Sequence, residues 1–364
     1  MLYCMTMHML DNPEHFKKYD KHKVLESIIA LPKQCQQAWA ETTQIKFPAS
    51  YHKVKNVVIA GMGGSTLGGY MIKSIYEKEL RVPMEVVNHY NLPEYVNRDT
   101  LVIVASYSGG TEETLAAAQE AKKRGGKIMG ITTGGTLGKW LAAHKVPRYV
   151  FVPTHNPSGQ PRLGTGYTMI GMLAMLCSAG VFGSRRSLAG DIARSLKSCD
   201  YNRLFGSFAP TTKNPAKQMA EKLKNRGVLI FASQHLIGNA HTMANQINES
   251  AKQFAVSFPL PEANHHLMEG LTFPKTNSRN LAGLFLESNL YHPRVAKRYP
   301  ISREVLQKQH IPAYAWAPRG NNRLLQALEA LSFGSFLSFY LAMQNNLDPS
   351  QIPWVDYFKR KLGA

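Results

Sequence analysis

Between residues 57 and 152, short apolar runs alternate with glycine-rich turns and helical stretches, and this alternation limits the fold more than any other feature. VVIA (57–60) leads into GMGGS (61–65) and a helical stretch to about Lys78. MEVV (84–87) follows, then LVIVA (101–105) with SYSGGT (106–111) and the helical TEETLAAAQEAKKR (111–124). KIMGI (127–131) and RYVFV (148–152) complete five candidate strands. Strands without a polar face must be covered on both sides, which calls for a parallel sheet between two helical layers.

A weaker alternation of the same plan begins near Asn214. PAKQMAEKLKNRG (215–227) reads as an amphipathic helix and GVLIFAS (227–233) as a strand, followed by a helix over about 238–254. LAGLFLE (281–287) and IPAYAWA (311–317) are further strands, and 324–344 is a long buried helix. At roughly 150 residues per domain, 364 residues suit two such units. The expected layout is an N-terminal helical extension (1–52), a first domain (53–182), a linker (183–214) and a second domain (215–364) with C-terminal helices.

Hydrophobic residues make up 44%, which excludes a disordered chain. The longest apolar stretch, Tyr167 to Phe182, is shorter than the ~20 residues of a membrane span and reads as a buried helix. Cys4, Cys35, Cys177 and Cys199 form no C-x-x-C pair, so neither a disulfide framework nor a thiolate metal site is expected, and a reducing compartment fits. The N-terminus has no basic region before its apolar residues, so it is a poor signal peptide. The net charge of +19 favours an anionic partner such as a phosphate ester, nucleic acid or membrane.

SYSGGTEET (106–114) carries the clearest chemistry. Ser106, Ser108, Thr111 and Thr114 bring four hydroxyls to a strand end and a helix start, where glycines let backbone N–H groups approach an anion. Plain helix capping, with help from Glu113, would need only one of these hydroxyls. GMGGST (61–66) has Thr66 where the dinucleotide fingerprint needs its third glycine. Val87 and Asn88 stand where an acidic ribose ligand would sit, and no Walker lysine is present, so nucleotide binding is disfavoured. Gly63, Gly64 and Ser65 suit either a simple turn or a sugar contact.

Three further motifs are ambiguous by themselves. Arg162 in GQPRLG (159–164) is either a surface arginine or a stabiliser of a developing oxyanion. In NESAK (248–252), Glu249 and Lys252 have the spacing of an exposed ion pair, while Glu249 at a helix end also suits a general base. PEANHHLMEG (261–270) holds two adjacent histidines able to titrate near neutrality, without a metal-binding signature.

Taken in order, GMGGS, SYSGGTEET, GQPRLGTGY, NESAK, PEANHH and LDPSQIPWVDYFKRKL resemble the bifunctional phosphoglucose/phosphomannose isomerases from about residue 55 onward. The resemblance implies two sugar-isomerase (SIS) domains, each a flavodoxin-like three-layer α/β sandwich. It implies a cytoplasmic enzyme of carbohydrate metabolism, without metal or cofactor, that interconverts glucose 6-phosphate and mannose 6-phosphate with fructose 6-phosphate. Gly63, Gly64 and Ser65 would then contact the ligand, and Ser106, Ser108 and Thr111 would hold its phosphate. Arg162 would stabilise an enediolate, and Glu249 would be the base. His265 would assist ring opening, across a homodimer, and Lys359 would face the sugar, with Lys361 close by. Ser350 stands where the family has the threonine linked to accepting both epimers. The chain departs from the family pattern at Gly110 and at His266–Leu267.

Two other readings remain at this level. A non-catalytic phosphosugar-binding regulator would pair one such domain with a helix-turn-helix, and the segment before Val57 shows no such pattern. An amidotransferase would need a glutaminase domain, for which the residues before the first strand leave no room. Neither nucleic acid nor a membrane is expected as a partner, and the size of the positive charge has no functional account.

Overall fold

The computed structural model describes residues 8–182 and 185–363, so Cys4 and most of the N-terminal stretch read above lie outside the described residues. The chain forms two compact units. One comprises Ala30–Asp200 with Arg323–Leu325, and the other comprises the residues up to Ile29, Tyr201–Asn322 and those from Gln326 onward. Among the described residues of the expected linker, 185–200 fall in the first unit and 201–214 in the second.

The first unit begins with α1 (Leu31–Thr42) and contains five parallel strands. These are β1 (Asn56–Gly61), β2 (Met84–Val87), β3 (Thr100–Ala105), β4 (Lys127–Thr132) and β5 (Arg148–Val150), in the order β2-β1-β3-β4-β5. The helices are α2 (Leu67–Ile75), α3 (Glu112–Lys123), α4 (Gly135–Ala143), α5 (Thr165–Ser178) and α6 (Arg185–Lys197). Successive strand residues point to opposite faces. Val58, Ala60, Val102, Val104 and Ile128 meet Ala117, Ala118 and Ala121 of α3 and Leu137 and Leu141 of α4. On the other face, α2 lies so close to β1 and α5 that a Cβ on Gly69 would sit 2.9 Å from Ile59, and one on Gly68 would sit 2.6 Å from the Met169 backbone. The paired glycines permit that approach. Acidic Glu112 and Glu113 open α3 and Lys122 and Lys123 close it, matching the helix dipole.

The second unit repeats the plan with β6 (Gly227–Ala232), β7 (Ala255–Pro259), β8 (Leu281–Leu286) and β9 (Ala313–Trp316), all parallel in the order β7-β6-β8-β9. Its helices include α7 (Pro215–Leu223), α8 (Ile237–Gln246), α9 (Arg298–Lys308), α10 (Arg323–Gln344, from Gln326 on) and α11 (Pro353–Leu362). The three-layer α/β architecture expected from the sequence is present.

One element departs from expectation. The helix expected over 238–254 ends at Gln246, continues as a π-turn over Ile247–Ala251, and gives way to the edge strand β7. Lys252, with φ +51°, takes the left-handed conformation that stops it. Among the described residues, the one helix long and apolar enough to cross a membrane is α10, and 94% of its apolar window is buried inside the chain, as befits a core helix.

Candidate active site

In both sheets the chain leaves the first strand toward one edge and returns to its other side, so β1/β3 and β6/β8 are topological switch points. Open α/β sheets bind ligands at the carboxyl ends of the strands flanking such a point. In the first unit those ends carry GMGGS and SYSGG.

The two loops are joined into one structure. Ser65, 5% exposed, accepts a 2.8 Å hydrogen bond from the Tyr107 backbone N–H. The Ser106 and Thr111 hydroxyls lie 2.9 Å apart, and Ser106 Oγ also accepts from the Gly109 N–H at 3.1 Å. Thr111 is the N-cap residue of α3, yet its side chain makes no capping bond. Its hydroxyl turns to Ser106, and the first N–H groups of the helix are left without a side-chain cap, the arrangement that favours an anion. Ser108 is exposed at the loop tip and its Oγ accepts from the Gly110 N–H at 3.3 Å. Gly63 and Gly109 have φ +48° and +73°, which other residues rarely adopt.

Arg162 belongs to the same cluster. A Cβ on Gly64 would lie 2.8 Å from the Arg162 backbone nitrogen, so the GMGGS turn and the QPR turn touch through their backbones. Arg162 is 1% exposed, and its Nη1 donates to Gln160 Oε1 at 2.9 Å. The surface-arginine reading therefore fails: a guanidinium at this depth needs anionic or polar company.

Several residues that build this site carry no sequence signal. Gln34 of α1 donates to the carbonyls of His155 and Leu163, both at 2.9 Å, and fixes the loop that presents Arg162. Asn156 Nδ2 donates to the Tyr107 hydroxyl at 2.7 Å and to the Gln160 carbonyl at 3.0 Å. Burial raises the Tyr107 phenol above its ordinary value, against that hydrogen bond, and keeps it a neutral strut. Asn88, at the position where a nucleotide fold would carry its ribose acid, donates instead to the Gly61 carbonyl at 2.7 Å and accepts from Tyr70 at 2.6 Å. Gly134 and Gly135, at the end of β4, back the Ser106 loop so closely that a Cβ on Gly109 would run into the Gly134 carbonyl oxygen.

In the second unit, Glu249 is half-buried on the π-turn that follows α8. Such turns are rare and concentrate at functional positions. Asn248 ties the turn to β7 by a reciprocal pair with Ala255, at 2.7 and 3.0 Å. Lys252 Nζ donates to the carbonyls of Ser250 (3.2 Å) and Asp348 (2.6 Å), linking the NESAK and DPS motifs. Ser350, 3% exposed, donates to Asp348 Oδ1 at 2.7 Å and lies 2.8 Å from His22 Nδ1. His22 comes from an N-terminal stretch without motifs.

His265 and Lys359 stand apart from these clusters. His265 is exposed on a short helix (Ala263–His266), while the neighbouring Asn264 is anchored by donating to Ser302 Oγ at 2.8 Å. Lys359 and Lys361 are exposed on α11, with Lys361 Nζ 5.9 Å from the Tyr357 ring centre.

The switch point of the second sheet is occupied by side chains. Tyr299 donates to Ser233 Oγ at 2.9 Å, and the Ser233 N–H donates to the Tyr291 hydroxyl at 3.2 Å. The two tyrosine rings stack 5.4 Å apart across the ends of β6 and β8.

Comparison with known proteins shows the family and the fold. The bacterial phospho-glucose isomerase C-terminal SIS domain matches residues 212–362, and the SIS domain matches residues 50–137. A bifunctional phosphoglucose/phosphomannose isomerase from Caldicellulosiruptor bescii is 32% identical over 348 residues, covering 93% of this chain and 98% of the relative. The chain belongs to the bifunctional phosphoglucose/phosphomannose isomerase family. Its family member from Thermoplasma acidophilum is 27% identical and aligns with 88% of this chain and 94% of its own. Among solved structures, a hypothetical protein from Thermus thermophilus superposes with a TM-score of 0.71 at 16% identity, covering 96% of this chain and 93% of its own. The C-terminal domain of a Francisella tularensis glucosamine-fructose-6-phosphate aminotransferase gives 0.67 at 15% identity, over 91% and 98%. These two share the fold.

Proposed function

We propose that this family member interconverts glucose 6-phosphate and mannose 6-phosphate with fructose 6-phosphate. The observation that carries the reading is the Ser106–Thr111 pairing beside an uncapped helix start, in a chain of this family. Residues 53–182 and 215–364 act as its two sugar-isomerase domains. Ser106, Ser108, Thr111 and the loop N–H groups take the phosphate, with Ser65 and its two glycines on the sugar side. The phosphate is a remote handle whose binding energy aligns C1 and C2 for reaction.

His265 and Lys359 serve ring opening, His265 from a second subunit. Glu249 takes the C2 proton of the aldose and returns it to C1, while a hydroxyl proton passes from O2 to O1. Carbonyl and hydroxyl thus exchange places within one molecule, and no external oxidant is called for. Arg162 stabilises the enediolate charge from a buried position, where electrostatic help is strongest. Ser350 contributes to accepting both epimers. The described cysteines Cys35, Cys177 and Cys199 are free thiols, which supports a cytoplasmic setting.

The test is a coupled assay on the purified chain with both aldose 6-phosphates. Wild type should form fructose 6-phosphate from each, and Glu249→Gln should lower kcat by about 10²–10⁴-fold with phosphosugar affinity kept. Near-normal turnover in that variant removes Glu249 from the base role. Absence of product with wild type removes the isomerase reading.

A further inference from the structure

The stretch before Ile29 carries no motif, yet it is anchored on α10 and reaches the DPS turn (348–350) beyond it. Phe16 lies against Phe339 and Tyr340 with ring centres 5.5 and 6.2 Å apart, and His15 Nε2 is 2.9 Å from the Met343 carbonyl oxygen. The helix Val24–Ile29 starts from Asp20, whose carboxylate accepts from the N–H groups of Val24 at 2.7 Å and Leu25 at 2.9 Å. His22 sits between these two anchors, so the backbone on both sides places its ring.

His22 Nδ1 lies 2.8 Å from Asp348 Oδ2 and 2.8 Å from Ser350 Oγ. Ser350 donates both its hydroxyl and its N–H to Asp348 Oδ1, at 2.7 and 2.9 Å. A carboxylate can only accept, so Nδ1 carries a proton and donates. Burial raises the Asp348 carboxyl, but the hydrogen bonds from Ser350 and His22 outweigh it, hold the group below its usual 3.8 and keep it a charged acceptor. These are the residue types of a hydrolytic triad without its geometry. Both contacts go to one ring nitrogen, and Ser350, 3% exposed, gives its proton to the carboxylate rather than to the imidazole. Such an arrangement makes no nucleophile; it makes an oriented hydroxyl. Serine lacks the β-methyl that stiffens χ1, so its rotamer depends on the groups it bonds.

We propose that His22 is a positioning residue for substrate preference: by clamping Ser350 and Asp348 together it sets how well the enzyme takes mannose 6-phosphate beside glucose 6-phosphate. The proposal rests on the isomerase reading above and on the part of Ser350 in it. The two esters differ in configuration at C2 alone, and a misplacement of about 1 Å in a positioning group is enough to change turnover. A purely structural role would act differently. The Asp348 carbonyl also holds Lys252 Nζ at 2.6 Å, next to the turn that carries Glu249. Loosening that link would slow both substrates alike.

Steady-state kinetics of the purified full-length chain with both esters separates the two roles. His22→Ala should lower the ratio of kcat/KM for mannose 6-phosphate to that for glucose 6-phosphate by about three- to tenfold, as expected for losing one partly buried hydrogen bond. The fall should lie in kcat for mannose 6-phosphate, with KM for both esters little changed. The His22 side chain is 54% exposed, so its variants should fold, as a thermal melt within a few degrees of wild type would show. An asparagine places its amide nitrogen where the imidazole has Nδ1, so His22→Asn should restore the ratio. His22→Gln, one carbon longer, should not. An unchanged ratio, an equal loss on both esters, or a ratio that asparagine fails to restore overturns the proposal. A wild type that converts only one ester overturns it too, because no preference is left to set. None of these outcomes removes the isomerase activity itself, which fails, and takes this proposal with it, only if wild type forms no fructose 6-phosphate from either ester.

Discussion

At the scale of single residues, contact rather than chemistry sets the tightest demands. Gly64 is required because its Cβ would press on backbone atoms of Pro161 and Arg162 at 2.8–2.9 Å, which cannot yield as a flexible side chain would. Gly64→Ala should therefore displace the Arg162 turn. The expected outcome is a loss of kcat of at least tenfold with a melting temperature lowered by only a few degrees, read by steady-state kinetics and calorimetry. An unchanged kcat would show that the turn can move aside without consequence for Arg162. The sequence displayed Ser65, Ser106, Ser108 and Thr111 because hydroxyls flanking glycines at a strand end are a local pattern. It did not display Gln34, Asn156 or Asn88, whose partners lie up to 132 residues away. An amide that braces a distant carbonyl looks, along the chain, like any other polar side chain.

At the scale of elements, the strands of the first sheet were legible because apolar runs bounded by glycine have few alternative structures. Edge strand β7 was not: AVSFP is half-exposed and follows directly on a helical pattern. Helix α4 was hidden by the glycines that open it, although Leu137 and Leu141 mark its buried face. The N-terminal segment showed no role at all, yet Asp11 grips α7: Lys217, fully buried, donates to Asp11 at 2.9 Å. Burial on its own raises the Asp11 carboxyl, but the hydrogen bonds from Lys217 and Thr211 and the Lys217 charge outweigh it and hold the group below its usual 3.8. A depressed carboxylate stabilises fully above its unfolded value, and that contribution is lost as pH falls through the folded one. The melting temperature should thus drop on acidification below about pH 4, and less steeply in Asp11→Asn. Asp11→Ala, which strands a buried ammonium, should cost about 3 kcal/mol, measured by denaturant titration. A loss under about 0.5 kcal/mol would mean that the Ser207 and Ala209 carbonyls, each 2.8 Å from Lys217 Nζ, hold the charge alone.

At the scale of the whole molecule, a net charge of +19 acts on any dianionic ester before contact. Such steering is screened by salt. The value of kcat/KM should fall several-fold between about 20 and 500 mM salt while kcat holds, as saturation kinetics at the two salt levels would reveal. A flat response would leave the positive charge to some other partner. The second consequence of scale follows from the repeated plan. Two sheets of the same topology would be expected to offer two equivalent berths, but Tyr291 and Tyr299 fill the strand tips of one of them. The expected consequence is one seat for a ligand in the duplicated architecture rather than two. Calorimetric titration with inorganic phosphate should saturate at one equivalent per chain, and a stoichiometry of two would mean the tyrosines swing out to admit a guest.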